Sequence, residues 1–325
     1  MTLTRALTAA AATTATALAA LAVAGTAMAA TPAHHPAPRT TAPRTTAPLN
    51  CAAAPSACGY PDATNTGVPA GTTLKSVPAQ VSSGPGWTWD AAYGEVIVKT
   101  DGTVLAGLYI PGALDIQASH VTVRDVQAWG IGLRHTTDVT IEDSTIKGEN
   151  ATSGRVNQAI GDVYDDSTGI VIKDDNISNF RVAIQARTGL IEGNYIHNPG
   201  YIPGDHTDGI MATGSAQPMT ITGNTIFINL GQCYAISLNA APGTLQPVAD
   251  KTVTGNFLAG GDYPLYAGNG WNDPTSNITI TGNRFGQQFF PQSGEFGPTA
   301  DYDPTGTGNT WTANIWDTTG QDLPA

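Results

Sequence analysis

The residues best suited to chemistry lie in one short stretch, GDHTDGI at positions 204–210. It places the imidazole of His206 between the carboxylates of Asp205 and Asp208. Histidine exchanges a proton near neutral pH, and a carboxylate acts as an acid or a base, so the combination suits proton transfer to or from a bound substrate. Aspartate also satisfies backbone groups in turns, and that structural role is the alternative for this stretch.

A second acidic group precedes this stretch, with an arginine between the two. Asp162, Asp165 and Asp166 follow one apolar run, and Arg187 ends the next. Such a set suits two reactions. In β-elimination on a uronic acid, Ca²⁺ or an arginine neutralises the substrate carboxylate and a base removes the adjacent proton. In glycoside hydrolysis, two carboxyl groups act as the acid and as the base or nucleophile.

Candidate roles follow from these two groups. The predicted catalytic residues are Asp208, His206, Arg187 and Asp162. The predicted metal ligands, for Ca²⁺ as the one cofactor considered, are Asp162, Asp165 and Asp166. For Asp165 and Asp166 the competing explanation is turn formation, which the residue type favours. Aromatic rings are platforms for sugar faces, and the predicted substrate-binding residues are Tyr234, Arg134, Asp205 and Tyr266.

A repeating backbone must position these residues, because a short phrase recurs seven times along the chain. The copies are VTVRDV, VTIEDSTI, IVIKDDNI, GLIEGNYI, MTITGNTI, KTVTGNFL and ITITGNRF. Aliphatic and polar residues alternate in each copy, as in a strand with one buried face. Units that cannot bury that face alone stack on one another, so the pattern predicts a solenoid. Four copies end in Gly-Asn turns, and their asparagines are predicted to form a hydrogen-bonded ladder.

A second family of strands occupies another part of each coil. Its members are GIGLRH, QAIGDVY, VAIQAR, DGIMATG, YAISLNA and PLYAG. A coil of roughly twenty residues with two or three short strands resembles the right-handed parallel β-helix of the pectate-lyase-like superfamily, from roughly Val96 to Phe285. The resemblance implies the right-handed winding. Open solenoid ends need apolar covers, so we expect Trp311 and Trp316 to cap one end, and Trp87 and Trp89 the other.

The stretch at 204–210 resembles the Asn-Thr-Asp-Gly motif of polygalacturonase-type β-helix hydrolases, with Asp208 at the catalytic aspartate and His206 replacing the first residue. In that family an adjacent pair of aspartates follows one coil later, whereas this chain has GQCY at 231–234. Strand alternation would turn Asp208 inward together with Ile210. The strand must therefore begin or kink there if the carboxylate is to face outward, and the flanking Gly204 and Gly209 favour a kink.

The N-terminus predicts export. Residues 1–29 form a signal peptide, with Arg5, an apolar run and the cleavage pattern Ala27-Met28-Ala29. Residues 30–50 are a Pro/Thr-rich linker, and 51–325 are predicted to be one domain. In an oxidising compartment Cys51 and Cys58 are expected to pair. The net charge of -12 and the lack of a Lys/Arg cluster exclude nucleic acid as a partner.

The sequence thus predicts an all-β, right-handed parallel β-helix with caps at both ends. It predicts a secreted, extracellular enzyme that cleaves a polysaccharide in a groove on the helix, either by β-elimination or by hydrolysis. The alternatives are a glycan-binding or cell-surface module without activity, and a uronate epimerase. The expected partner is the polysaccharide alone, with no nucleic acid, no membrane once the signal is removed, and a monomeric state.

Overall fold

The structure is a computed structural model that describes residues 51–149, 153–231, 233–238, 248–268 and 275–325. The predicted signal peptide and linker lie outside the described residues and stay predictions. Within those ranges the helical structure is one short 3₁₀ turn, Pro55–Cys58. Among the same residues, no helix has the length and apolar character of a membrane span.

Strands make up almost all the regular structure of the described residues. In chain order they are β1 Lys75–Ser76, β2 Ser83–Gly84, β3 Trp87–Asp90, β4 Glu95–Val98, β5 Val104–Tyr109, β6 Ala113–Ile116, β7 Thr122–Ala128, β8 Gly130–Leu133, β9 Thr140–Glu142, β10 Thr145–Lys147, β11 Val156–Asp162, β12 Val171–Lys173, β13 Asn176–Ser178, β14 Phe180–Gln185, β15 Gly189–Glu192, β16 Tyr195–His197, β17 Thr207–Met211, β18 Met219–Thr222, β19 Thr225–Ile228, β20 Cys233–Ser237, β21 Ala249–Thr254, β22 Phe257–Gly260, β23 Tyr263–Tyr266, β24 Ser276–Thr281, β25 Arg284–Phe285, β26 Thr299–Ala300, β27 Thr310–Thr312 and β28 Ile315–Trp316.

The strands form two sheets by stacking coil on coil. The larger sheet has 17 strands in two parallel ladders joined at β7, which pairs with both β9 and β10. The smaller sheet, called sheet B here, has 11 strands in the order β2-β3-β4-β6-β8-β11-β14-β17-β20-β23-β26. Its strands are parallel from β4 onward, and antiparallel pairs of β3 with β2 and β4 close its first end. The predicted parallel β-helix is therefore confirmed.

The core consists of aliphatic rows that run along the stack. One row pairs the repeated phrase with itself from coil to coil, and each member is at most 1 % exposed: Ile141, Ile172, Ile191, Ile221, Val253 and Ile280. Burying one such side chain contributes about 1.5–3 kcal/mol, so the row is a main source of stability. Trp311 pairs with Ile280 and covers the row, while Trp87 is buried beside β4. Both predicted caps are present.

The turns of the repeated phrase carry the predicted asparagine ladder. Asn194 donates its side-chain amide to Oδ1 of Asn224 over 2.9 Å, and the same bond links Asn224 to Asn256. Asn283 and Asn314 continue the series. Each amide also bonds a strand carbonyl, so these buried polar groups satisfy one another.

An N-terminal segment ties the coils together. Cys51 and Cys58 form the expected disulfide. Arg284 Nη1 lies 3.0 Å from Cys51 Sγ near the end of the stack, and the ring of Tyr60 packs on Phe257. The chain then runs back to β1, which pairs with β5 in an early coil. This segment links coils that are distant in the stack.

Candidate active site

One register row of sheet B contains Asp115, which lines a cavity on the early coils. The row pairs Asp115 with Gly132, and Gly132 with Gly161. It continues through Gln185 and later strands to Tyr266. Gly132, beside Asp115 on the next strand, adds no side chain to the surface there. A cavity of about 620 Å³ lies there, lined by Tyr93, Glu95, Asp115, Gln117, Arg134, His135 and Tyr164.

Asp115 is an acid of this cleft whose carboxylate is fixed by two side-chain hydrogen bonds. It is 6 % exposed and lies in β6, whose neighbouring residues are aliphatic and face the core. Arg134 Nε donates to its Oδ1 over 2.6 Å, and Gln117 Nε2 donates to its Oδ2 over 2.6 Å. Such charge-assisted bonds fix the orientation of a carboxylate. The hydrogen bond to Asp115 also raises the pKa of Arg134, so its guanidinium stays charged.

Glu95 lies on the neighbouring strand β4, where its surroundings shift its pKa. Burial raises the pKa of Glu95, and the charge of Asp115 raises it further, while Arg134 opposes this shift. The side chain therefore keeps its proton to a higher pH than an ordinary glutamate does. Two nearby carboxyl groups in different environments are the usual arrangement of an acid and a base in catalysis.

Aromatic rings form one wall of the cleft. The rings of His135 and Tyr164 stack with centroids 4.2 Å apart and planes inclined by 4°. Arg134 Nη1 lies 3.3 Å from the Tyr164 hydroxyl, and its guanidinium lies over that ring. Tyr164 is 52 % exposed and Tyr93 is 80 % exposed. Exposed rings beside polar groups are suited to contact with the apolar faces of sugars.

Asp208, the leading catalytic candidate from the sequence, lies elsewhere on sheet B. The Cβ that Gly209 lacks would lie 2.6 Å from Cγ2 of the core residue Ile226, so position 209 faces the core. Ile210 also faces the core. Two successive inward positions shift the strand alternation by one residue, as expected of a kink at Gly209. Asp208 is thereby turned to the outer side of the sheet.

Asp208 is nevertheless covered, with 3 % of its surface exposed. Val182 and Tyr234 are its cross-strand neighbours. Burial raises the pKa of Asp208 to about 7, against the charge of Arg181 and a hydrogen bond from the Tyr234 amide. Its Oδ1 has no hydrogen-bond partner among the described residues. The carboxyl group thus lies beneath other side chains, outside the cleft around Arg134.

The two residues beside Asp208 have different surroundings. Asp205 is bound by Arg155, whose Nε and Nη2 donate over 2.8 Å and 2.6 Å. Burial alone would raise the pKa of Asp205, but these hydrogen bonds lower it. Asp205 therefore anchors its loop, which leaves it poorly placed for the predicted contact with substrate. His206 is exposed, and its carbonyl oxygen lies 3.4 Å from Arg181 Nη1.

Asp162 and Arg187 do not join Asp208. Asp162 is 1 % exposed, and its carboxylate accepts the Ser167 amide over 3.1 Å. The residue in the row of Asp208 is Gln158, four positions before Asp162. At a rise of about 3.3 Å per residue, that places Asp162 about 13 Å along the strand from that row. Arg187 lies farther still, where its Nη1 donates to the Asp165 carbonyl over 3.2 Å. The four predicted catalytic residues are therefore not brought together.

The three predicted metal ligands also have separate partners. Asp162 caps Ser167, Asp165 Oδ1 lies 3.3 Å from Thr213 Oγ1, and Asp166 lies 2.5 Å from His135 Nδ1. Within the described parts of the chain, no three His, Cys, Asp or Glu side chains are grouped as a metal site would require. The reason is local: each aspartate satisfies its own turn or a neighbouring side chain. Ca²⁺ binding stays a prediction, and these three aspartates do not lie together as a set of ligands for it.

The predicted substrate-binding residues other than Asp205 separate into two places. Arg134 lines the cleft, whereas Tyr234 and Tyr266 lie together on later coils with ring centroids 4.8 Å apart. Glu95 and Asp115 are not among the residues predicted from the sequence. A signal was available, since both are acids at the strand positions that alternate with buried aliphatics in GEVIV and ALDI.

Comparison with known proteins identifies the fold family of the chain. A family model described as right handed beta helix region matches residues 106–285, which is more than half of the chain. Neither the curated proteins nor the solved structures contain a match to the sequence. The match includes Asp115 and Arg134 and ends just before the cap formed by the last strands.

Proposed function

Because the chain belongs to the right-handed β-helix family, whose stacked strands present one continuous outer face, we propose that it is a secreted enzyme that hydrolyses a neutral polysaccharide in the cleft around Arg134. One observation carries the proposal. Two carboxyl groups line one cleft: Glu95, whose pKa is raised by burial and by the charge of Asp115, and Asp115, whose carboxylate is held by Arg134 and Gln117. Secretion is supported by the disulfide between Cys51 and Cys58, which suits an oxidising compartment.

The proposed reaction assigns one role to each acid. Glu95 donates its proton to the glycosidic oxygen as the bond from that oxygen to the anomeric carbon breaks. Asp115 assists the arrival of water at that carbon, either by accepting a proton from the water or by first forming a bond to the carbon. Arg134 and Gln117 orient Asp115 throughout. The rings of Tyr164 and Tyr93 hold the flanking sugars.

The charge of the cleft favours a neutral substrate over a uronate. Glu95 and Asp115 line it with one arginine, and that arginine is already paired with Asp115. Asp166 pairs with His135 at its edge. An anionic sugar would enter beside these carboxyl groups without a free cation to neutralise it, and the electrostatic repulsion would weaken its binding. Hydrolysis is therefore favoured over β-elimination and over epimerisation of a uronate.

The test is cleavage of a glycan panel by the mature protein. Xylan, mixed-linkage β-glucan, galactomannan and arabinan are the neutral polymers, and polygalacturonate and alginate are the anionic ones. We expect new reducing ends from a neutral polymer, without the ultraviolet absorbance of unsaturated uronates. Glu95→Gln and Asp115→Asn should each lower kcat by about 100-fold or more, as general acid–base groups do.

Glu142→Gln is the matched control, because that glutamate lies on β9 in the other sheet and pairs with Lys173. It should retain full activity. Unsaturated products, or cleavage that survives in both site variants, would contradict the proposal. Binding of a glycan without any cleavage would instead favour the non-catalytic module, for which the exposed rings of Tyr93 and Tyr164 are the supporting feature.

A further inference from the structure

A second group of aromatic side chains lies at the other end of sheet B. The rings of Tyr234 and Tyr266 have centroids 4.8 Å apart, and those of Tyr263 and Phe296 have centroids 6.1 Å apart. Tyr263 is in register with Tyr234 on the adjacent strand. Phe296 is 60 % exposed, and the three tyrosines are partly exposed. We call these four residues the aromatic patch.

The aromatic patch and the cleft share one face of sheet B. Tyr266 occupies the same register row as Asp115, and the row passes through Gly132, Gly161 and Gln185. Six strand-to-strand steps separate β6 from β23 in the sheet order. At about 4.8 Å per step, the two sites lie roughly 29 Å apart in a straight line along the stack.

The surface between the two sites is uncharged along this row. Its members after Asp115 are Gly132, Gly161, Gln185, Met211 and Ser237. Gln185 Oε1 accepts a hydrogen bond from the Gln158 side chain, which leaves further amide groups for other partners. Amide groups suit the hydroxyl groups of a neutral sugar and carry no charge to neutralise an anion.

The side chains of the aromatic patch are held in place by their own contacts. Burial raises the pKa of Tyr266, and a hydrogen bond with Asp301 raises it further. The phenol therefore stays protonated and donates to that carboxylate, which fixes the ring beside Tyr234. Rings held in this way contribute contact area at little cost in conformational entropy.

We propose, resting on the proposed hydrolysis in the cleft, that the aromatic patch is a distal binding site for the same neutral, linear polysaccharide. The occupant is one glycan chain that lies along sheet B from Arg134 to Tyr266. A sugar unit in an extended chain has about the length of one strand step, so the bound stretch is about six units or more. The substrate class is therefore a polymer, and short oligosaccharides occupy the cleft alone.

The experiment measures affinity against chain length. Glu95→Gln protein, which binds without cleaving, is titrated calorimetrically with xylo-, gluco- and manno-oligosaccharides of about two to ten units. We expect the affinity to rise when the chain exceeds about six units. Tyr234→Ala combined with Tyr266→Ala should lower the affinity for long chains by about tenfold and leave short chains unchanged. Phe296→Ala, which removes an exposed ring, should show the same selective loss of affinity on a smaller scale. This variant replaces the double variant as the test if the double variant does not fold.

Tyr109→Ala is the matched control, since Tyr109 lies on β5 in the other sheet. It should bind chains of every length as the parent does. An affinity independent of length, an equal loss for short and long chains, or no binding to any oligosaccharide would overturn the proposal. Cleavage by the unmodified protein without any length dependence refutes the distal site alone. Length-dependent binding without cleavage refutes the hydrolase alone.

Discussion

Two acids on the same face of sheet B, Asp115 and Asp208, have opposite surroundings. Asp115 lies next to Gly132, opens onto the cleft and accepts two side-chain donors. Asp208 lies between Val182 and Tyr234, and its Oδ1 has no hydrogen-bond partner among the described residues. Asp115 has Ile97 on its other side, so the small neighbour Gly132 is what distinguishes its position in the sheet from that of Asp208. A motif that looks catalytic in sequence can be covered by the next coil.

Activity should separate the acids of the cleft from Asp208 by the largest margin. We expect Glu95→Gln, beside Asp115, to lower kcat on a neutral glycan by about 100-fold or more. Asp208→Asn and His206→Ala should retain activity within about threefold, because neither side chain lies in the cleft. Reducing-end release measures all three variants. If Asp208→Asn proved as inactive as Glu95→Gln, the result would contradict the assignment of the cleft as the catalytic site.

The stability of the protein should report the covered state of Asp208. Its folded pKa of about 7 lies above the ordinary value of 3.8. The stability it contributes is therefore fully present below pH 3.8 and is lost as pH rises through about 7. The difference corresponds to about 4 kcal/mol as an order of magnitude. Urea unfolding at acidic and at mildly alkaline pH should show this loss in the parent and a much smaller loss in Asp208→Asn. Parallel pH profiles in the two proteins would contradict the burial of this carboxyl group.

A third carboxyl group, Asp175, extends the comparison to the asparagine ladder. It occupies a rung position, where its Oδ1 accepts the Ser144 amide over 2.7 Å and its Oδ2 has no partner among the described residues. Burial raises its pKa well above the ordinary value. The next rung, Asn194, donates its amide to the Ile172 carbonyl. An asparagine at 175 would supply the same kind of donor to the coil below.

We therefore expect Asp175→Asn to stabilise the protein at neutral pH by about 1–3 kcal/mol, because an unsatisfied buried group is replaced by a bonded one. Thermal and urea unfolding measure the change. The reverse substitution in the same ladder, Asn224→Asp, is the control and should destabilise by a similar amount. A destabilised Asp175→Asn protein would mean that position 175 is not equivalent to the other rungs.

The smallest effect is expected at Asp166, on the edge of the cleft. Its pair with His135 is exposed, with side-chain exposures of 46 % and 64 %. Exposed pairs contribute less than about 1 kcal/mol, so Asp166→Asn should leave the free energy of unfolding nearly unchanged. Treatment with a chelator should likewise leave activity and melting temperature unchanged, because the three aspartates have separate partners. A drop in either after chelation, restored by Ca²⁺, would revive the predicted metal site.

The fold follows from the sequence in considerable detail. Alternating aliphatics in seven copies predict strands with one buried face, and the stacked row from Ile141 to Ile280 is the result. The Gly-Asn turns predict the ladder, and Trp311 was expected to cover the end. These features depend on local periodicity and on the stacking of equivalent residues from successive coils. They can therefore be predicted without knowing the register of the other strands.

The candidate site depended on tertiary structure. Asp115 and Gly132 belong to different coils, and so do Asp208 and Tyr234. Only the register of sheet B decides which of them become neighbours. That register also sets the burial that raises the pKa of Glu95 and covers Asp208. The sequence determined the repeating rows, because each coil carries its own strand signal. The three-dimensional structure decided which acids lie beside an arginine in an open cleft. Exposure and protonation depend on neighbours that are distant along the chain.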